Sequence, residues 1–141
     1  MRLFKNENYT DFYTAPPTLG LDDVLYVEVN MERPLLTDID SSSNVSFVWD
    51  KRRLLYNIFK SNIVVVMEKC WGTPISDREN KLRYYMIQDG CPVNGDTSLN
   101  VKSNGDSLQG RFDIKMFKFI GEDLNDVWLH CTGRYFITSI F

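Results

Sequence analysis

The chain has 141 residues, 43% of them apolar and 25% charged, which is the length of one domain and the composition of a globular one. Its net charge of −3 offers no basic excess, so no nucleic-acid partner is expected. No apolar run reaches about 18 residues, the minimum for a membrane-spanning helix, and the N-terminus M-R-L-F-K-N-E-N-Y is too polar to read as a signal peptide.

Aromatic residues, at 13%, fall in short runs separated by turn formers, a pattern that favours strands. Met1 to Pro17 is polar and aromatic and closes on Ala15-Pro16-Pro17, an extended, linker-like segment. It holds the sequon Asn8-Tyr9-Thr10, usable only in a secreted chain. Leu25, Val27, Val29 and Met31 alternate with Tyr26, Glu28 and Asn30, which predicts a half-buried strand. The next thirty residues have no such period. Leu55, Ile58 and Phe59 sit at helical spacing behind the potential caps Ser43 and Asn44, so a short helix is expected within 45–60. Asn44-Val45-Ser46 is a second sequon, and Lys51-Arg52-Arg53 reads as a solvated helix face in preference to a processing site.

Ile63 to Met67 is a continuous apolar run, predicting a buried strand that leads into Cys70. Leu82 to Gln88 and Thr97 to Lys102 predict two further strands, with turns at Asp89-Gly90 and Asn104-Gly105, where both residue types tolerate positive φ. From Leu108 to Cys131 the pattern suggests two strands joined as a hairpin. Phe112, Ile114 and Met116 share one face, and a β-bulge would bring Phe117 and Phe119 onto it. Across the polar tip 121–126, Val127, Leu129 and Cys131 share a face and Trp128 and His130 take the other. Six or seven short strands without a sustained helical period read as a β-sandwich.

Catalytic chemistry finds little support. His130 is the only histidine, and its neighbour Cys131 points to the opposite face of a strand, out of reach as its nucleophile. One histidine and three separated cysteines match no zinc spacing, and Glu122, Asp123, Asn125 and Asp126 lack the order of a calcium loop. Gly90, Gly95, Gly105 and Gly110 are isolated turn glycines, not a phosphate loop, and Tyr84 and Tyr85 lack the basic neighbours of a base-stacking surface. No catalytic residue, cofactor or metal is expected. The odd cysteine count implies one thiol left over or a missing partner if the chain is extracellular, and needs no explanation if it is cytosolic.

Four motifs in order then resemble the C-terminal half of a zona pellucida (ZP) domain. They are C-W-G-T-P at Cys70, I-Q-D-G-C-P around Cys91, S-N-G-D-S-L-Q-G-R-F-D-I-K-M-F-K-F from Ser103, and W-L-H-C ending at Cys131. The segments M-R-L-F-K-N-E-N-Y-T-D-F-Y and L-Y-V-E-V are similar to the linker and first strand of the same half, in the branch that includes uromodulin and the pancreatic zymogen-granule glycoprotein. The resemblance covers Met1 to Met31 and Val64 to Cys131. It implies an all-β, immunoglobulin-like sandwich and divides the chain into a linker-like segment 1–17, a subdomain 18–133 with an unmatched insertion at about 33–61, and a divergent tail 134–141. It further implies a Cys70–Cys131 disulfide, with the partner of Cys91 in a region the chain lacks. The chain would then be a partial module.

The function so implied is a non-enzymatic structural module of a secreted or cell-surface glycoprotein that contributes to, or regulates, extracellular filament or matrix assembly. Its partners would be other ZP modules or the missing N-terminal half of its own module. The chain itself would hold no membrane span, any anchor lying beyond its C-terminus. Asn8 and Asn44 are the glycosylation candidates. The alternatives are a module presenting a surface or glycans to adhesins or receptors, and a cytosolic β-domain.

Overall fold

The structure, a computed structural model, describes residues 1–30, 63–93, 95, 97–121 and 124–137. The helix expected within 45–60, the sequon at Asn44, Lys51-Arg52-Arg53 and the whole of the unmatched insertion lie outside the described residues. The strands are β1 (Arg2–Phe4), β2 (Val24–Asn30), β3 (Ile63–Thr73), β4 (Tyr84–Gln88), β5 (Cys91–Pro92), β6 (Leu99–Ser103), β7 (Gln109–Lys115) and β8 (Trp128–Ile137). They form two four-stranded antiparallel sheets, β1-β2-β7-β6 (sheet A) and β5-β4-β3-β8 (sheet B). The immunoglobulin-like sandwich expected from the sequence is the fold observed.

The alternation along each strand sets the core between the layers. Leu25 and Val27 of β2, Leu99 of β6 and Phe112 and Ile114 of β7 meet Met67 and Cys70 of β3 and Met86 and Ile87 of β4. Each such side chain, fully buried, contributes about 1.5–3 kcal/mol by leaving water. At Gly110 of sheet A a Cβ atom would come within 2.7 Å of the Met67 side chain of sheet B. Any larger residue there would force that methionine, which is fully buried, to shift.

The hairpin expected between Leu108 and Cys131 does not form. The strand β7 is paired on one side with β2 and on the other with β6, so both its edges are used before β8 is reached. Strand β8 instead pairs with β3 in the other sheet. The connection 116–127 is therefore a crossover between layers. The slip in phase at Phe117 and Phe119 marks the chain leaving sheet A at Lys115, not a bulge within it. Phe117 packs on Tyr84 of sheet B, with ring centroids 4.4 Å apart, and lies against Gly72. Irregular register occurs instead at Met67/Lys69, Cys70/Trp71 and Val101/Ser103.

The Asn104-Gly105 turn does more than reverse the chain. It leaves sheet A and closes the open edge of β3 in sheet B. Val65 donates its N–H to the Ser107 carbonyl (2.7 Å), and Gly105 donates to the Val65 carbonyl (2.8 Å). The Asn104 side chain accepts from the Met67 N–H (2.6 Å) and donates to the carbonyls of Met67 (3.1 Å) and Gly90 (2.9 Å). One amide side chain thus occupies the place of a strand residue beside Met67. Positive φ at Asp89 (52°) and Gly90 (78°) makes the tight turn that brings the Gly90 carbonyl there. Asn104→Ala leaves the Met67 amide and two carbonyls unanswered and is expected to lower stability by about 2–3 kcal/mol in urea unfolding, with Asn104→Asp intermediate because it keeps only the acceptor.

Candidate functional site at the disulfide-pinned edge

Cys70 and Cys131 face each other across β3 and β8 with Cα atoms 4.2 Å apart, and their sulfurs are bonded. That separation is typical of an antiparallel pair that exchanges no backbone hydrogen bonds, so the N–H and C=O of Cys131 point away from β3. The bond joins neighbouring strands of one sheet, yet the 61-residue span it closes contains β4 to β7 and so ties both layers together. Closing a loop of that length stabilises by about 4 kcal/mol in the chain-entropy account, a large part of a domain's net stability. Cys91 is a free, exposed thiol on β5, at the far edge of the same sheet.

His130 and Trp128 occupy the outer face of sheet B, as the alternation predicts. The His130 ring stacks on Trp71, its partner across β3, with centroids 5.5 Å apart, and Arg78 lies 5.5 Å over the same indole. Thr73 is fully buried, and its hydroxyl donates to the Ile75 carbonyl at 2.6 Å. With that proton committed, the hydroxyl can only accept from His130 Nε2, 2.7 Å away, which sets the neutral imidazole with its proton on Nε2. Burial, followed by the charge of Arg78, holds the His130 pKa below its ordinary value of 6.5. The sulfur beside it is in a disulfide, so no histidine–thiol pair is assembled.

The outer face of sheet A carries a cluster built on Glu28 and Asn30, which the alternation set apart from Leu25, Val27 and Val29. Glu28 is buried and opposes Arg111, which binds its carboxylate at 2.7 Å, while Asn30 donates to the second carboxylate oxygen. Tyr9 covers the pair, its ring 4.6 Å from the Arg111 guanidinium, and burial together with Asp113 pushes its phenol up to about 12. The linker-like N-terminal residues thus pack onto the sheet, and the signal for it was the aromatic content of Phe4, Tyr9 and Phe12.

At β8 the outer edge shows no strand partner among the described residues, while Trp128 and Phe136 are each 48% exposed. Arg134 pairs with Glu68 at 2.6 Å across the ladder to β3. No group of three or more metal-ligating side chains occurs among the described residues, and Glu122 and Asp123 lie outside them.

Residues 53–136 match the family described as the ZP-C domain. The chain belongs to the ZP-C family. The match begins inside the segment read from sequence as an unmatched insertion. Rat (Rattus norvegicus) uromodulin is 35% identical over 133 residues, covering 93% of this chain and 17% of the relative. Chicken (Gallus gallus) alpha-tectorin is 33% identical over 93% of the chain and 5% of its own length. The mouse (Mus musculus) pancreatic secretory granule membrane major glycoprotein GP2 is 33% identical over 93% of the chain and 20% of its own length. The chain therefore spans a fifth or less of each of these relatives. The ZP-C membership and the Cys70–Cys131 bond agree with the resemblance read from the four motifs.

Two outcomes follow for this ZP-C domain. Replacing Cys70 and Cys131 together by serine is expected to lower the unfolding free energy by about 4 kcal/mol, and reductant should shift the parent chain's midpoint but not the variant's. For His130, the unfolded chain takes up the proton more readily than the folded one. Its contribution is complete above the ordinary value of 6.5 and is lost as pH falls through the interval down to the depressed folded value. His130→Gln should flatten that part of the stability–pH curve.

Proposed function

We propose that this ZP-C domain is a non-enzymatic structural module of a secreted or cell-surface glycoprotein, and that it takes part in extracellular assembly by pairing a further strand along the outer edge of β8. The observation that carries the reading is the geometry of Cys131. The disulfide holds β8 against β3 in a phase that turns the N–H and C=O of Leu129 and Cys131 outward. An edge of ten residues with outward hydrogen-bonding groups is a template for strand addition. The partner so defined is an extended segment of another ZP module or of the N-terminal half of the same module. An oxidising compartment supports the reading, because it is where a stabilising disulfide persists. The imidazole engaged by Thr73 and the thiol engaged by Cys70 offer no nucleophile and base, which speaks for a mechanical role over a catalytic one.

Hydrogen exchange tests the pairing. The chain, expressed behind a signal peptide, is mixed with a separately produced ZP N-terminal half, and the amides of 128–137 are expected to gain protection on association. Association that protects other segments and leaves β8 exchanging as before would remove β8 from the interface.

A further inference from the structure

The loop that carries the first sequon holds Asn8 outward. Segment 11–13 folds back along the outer side of β1. Lys5 donates to the Asp11 carbonyl (2.8 Å), Tyr13 donates to the Leu3 carbonyl (2.9 Å), and Phe4 bridges Phe12. The loop between is closed by Asn6, whose carbonyl accepts from the Tyr9 N–H (3.1 Å). Its side chain accepts from the Thr10 N–H (3.1 Å) and donates to the Thr10 hydroxyl (2.7 Å). Tyr9, in the left-handed region at φ 54°, turns its ring inward between Phe4, Tyr26 and Arg111. Asn8, one residue before, is left exposed and takes part in none of these bonds.

We propose that Asn8 is an N-glycosylation acceptor, modified before this loop docks on sheet A, and that its glycan stands on the outer face of sheet A, away from the β8 edge. The inference rests on the secretory reading above. In the closed loop the Thr10 hydroxyl is engaged by Asn6 and Tyr9 is buried, so the acceptor triplet is unavailable in the extended form that transfer requires. The bonds of Asn6 are local, but burial of the Tyr9 ring needs Arg111, which is synthesised about 100 residues later; at roughly 5–20 residues per second that leaves roughly 5–20 s in which the triplet is not held against the sheet. Modification therefore precedes burial, and the fold then accepts the product because Asn8 faces solvent. Tyr26 and Arg111, against which the loop packs, project from sheet A opposite to its core side chains Val27 and Phe112. A bulky polar glycan there covers the layer remote from β8 and leaves β8 open to a strand.

The test uses the full chain behind a supplied signal peptide in mammalian cells, with retained and secreted pools both digested. Enzymatic deglycosylation in heavy-oxygen water is expected to yield labelled aspartate at position 8 in most chains. Asn8→Gln and Thr10→Ala should abolish that label, Thr10→Ser should retain it, and Asn44→Gln should leave it unchanged. Unlabelled Asn8 in both pools overturns the proposal. Disulfide mapping in the same digests separates the two readings. A Cys70–Cys131 peptide with bare Asn8 removes the glycan alone. Free thiols with a labelled Asn8 count against the structural reading and leave the glycan standing. For the placement, exchange along 128–137 should be the same with and without the glycan, and slower exchange there in the glycosylated chain would place it wrongly.

Discussion

A strand of eleven residues buried between neighbours must have every backbone N–H and C=O answered, and β3 is that strand here. One side is satisfied along its whole length by β8. The other is divided between β4, which reaches only Cys70 to Gly72, and the Asn104 turn, which serves Val65 and Met67 from the opposite sheet. The remaining architecture follows from that division. Sheet A is held to sheet B by apolar packing at Met67 and Gly110 and also by backbone hydrogen bonds that cross between the layers.

The disulfide reinforces the same strand. Because Cys70 and Cys131 are directly opposed, the bond clamps β8 in one register, which a one-residue slip would destroy by turning its core face to solvent. That register decides which backbone groups of β8 face outward. It also places His130 over Trp71 and beside Thr73. A structural bond, a pH-sensitive ring and an edge open to pairing are thus consequences of one alignment. The N-terminal segment, with Tyr9 over the Glu28–Arg111 pair, lies on the other layer.

Much of this was legible in the residues taken singly. Alternation placed Leu25, Val27, Phe112, Ile114, Leu129 and Cys131 inward and Trp128 and His130 outward, and the structure agrees. The apolar run Ile63 to Met67 announced the buried strand that leads into Cys70. The hairpin between Leu108 and Cys131 was misread because alternation records which face a residue takes and says nothing of which strand lies beside it. Likewise the strand read from Leu82 to Gln88 begins only at Tyr84, and its neighbours Met86 and Ile87, which strict alternation would put on opposite faces, are both fully buried where the register shifts at Cys70/Trp71.

What the sequence by itself determined is the all-β class, the inward and outward faces of most strands, the tight turns and, through its motifs, the ZP-C family with its cysteine pair. These depend on local periodicity, backbone preference and residue identity, all of which are written along the chain. Only the tertiary structure decided that β7 and β8 lie in different sheets, that Asn104 completes β3, that Tyr9 covers the Glu28–Arg111 ion pair, and that Thr73 holds the His130 tautomer. Each of these joins residues distant in sequence, and a non-local pairing is chosen by competition among strands for edges and among polar groups for partners, which no short stretch of chain records.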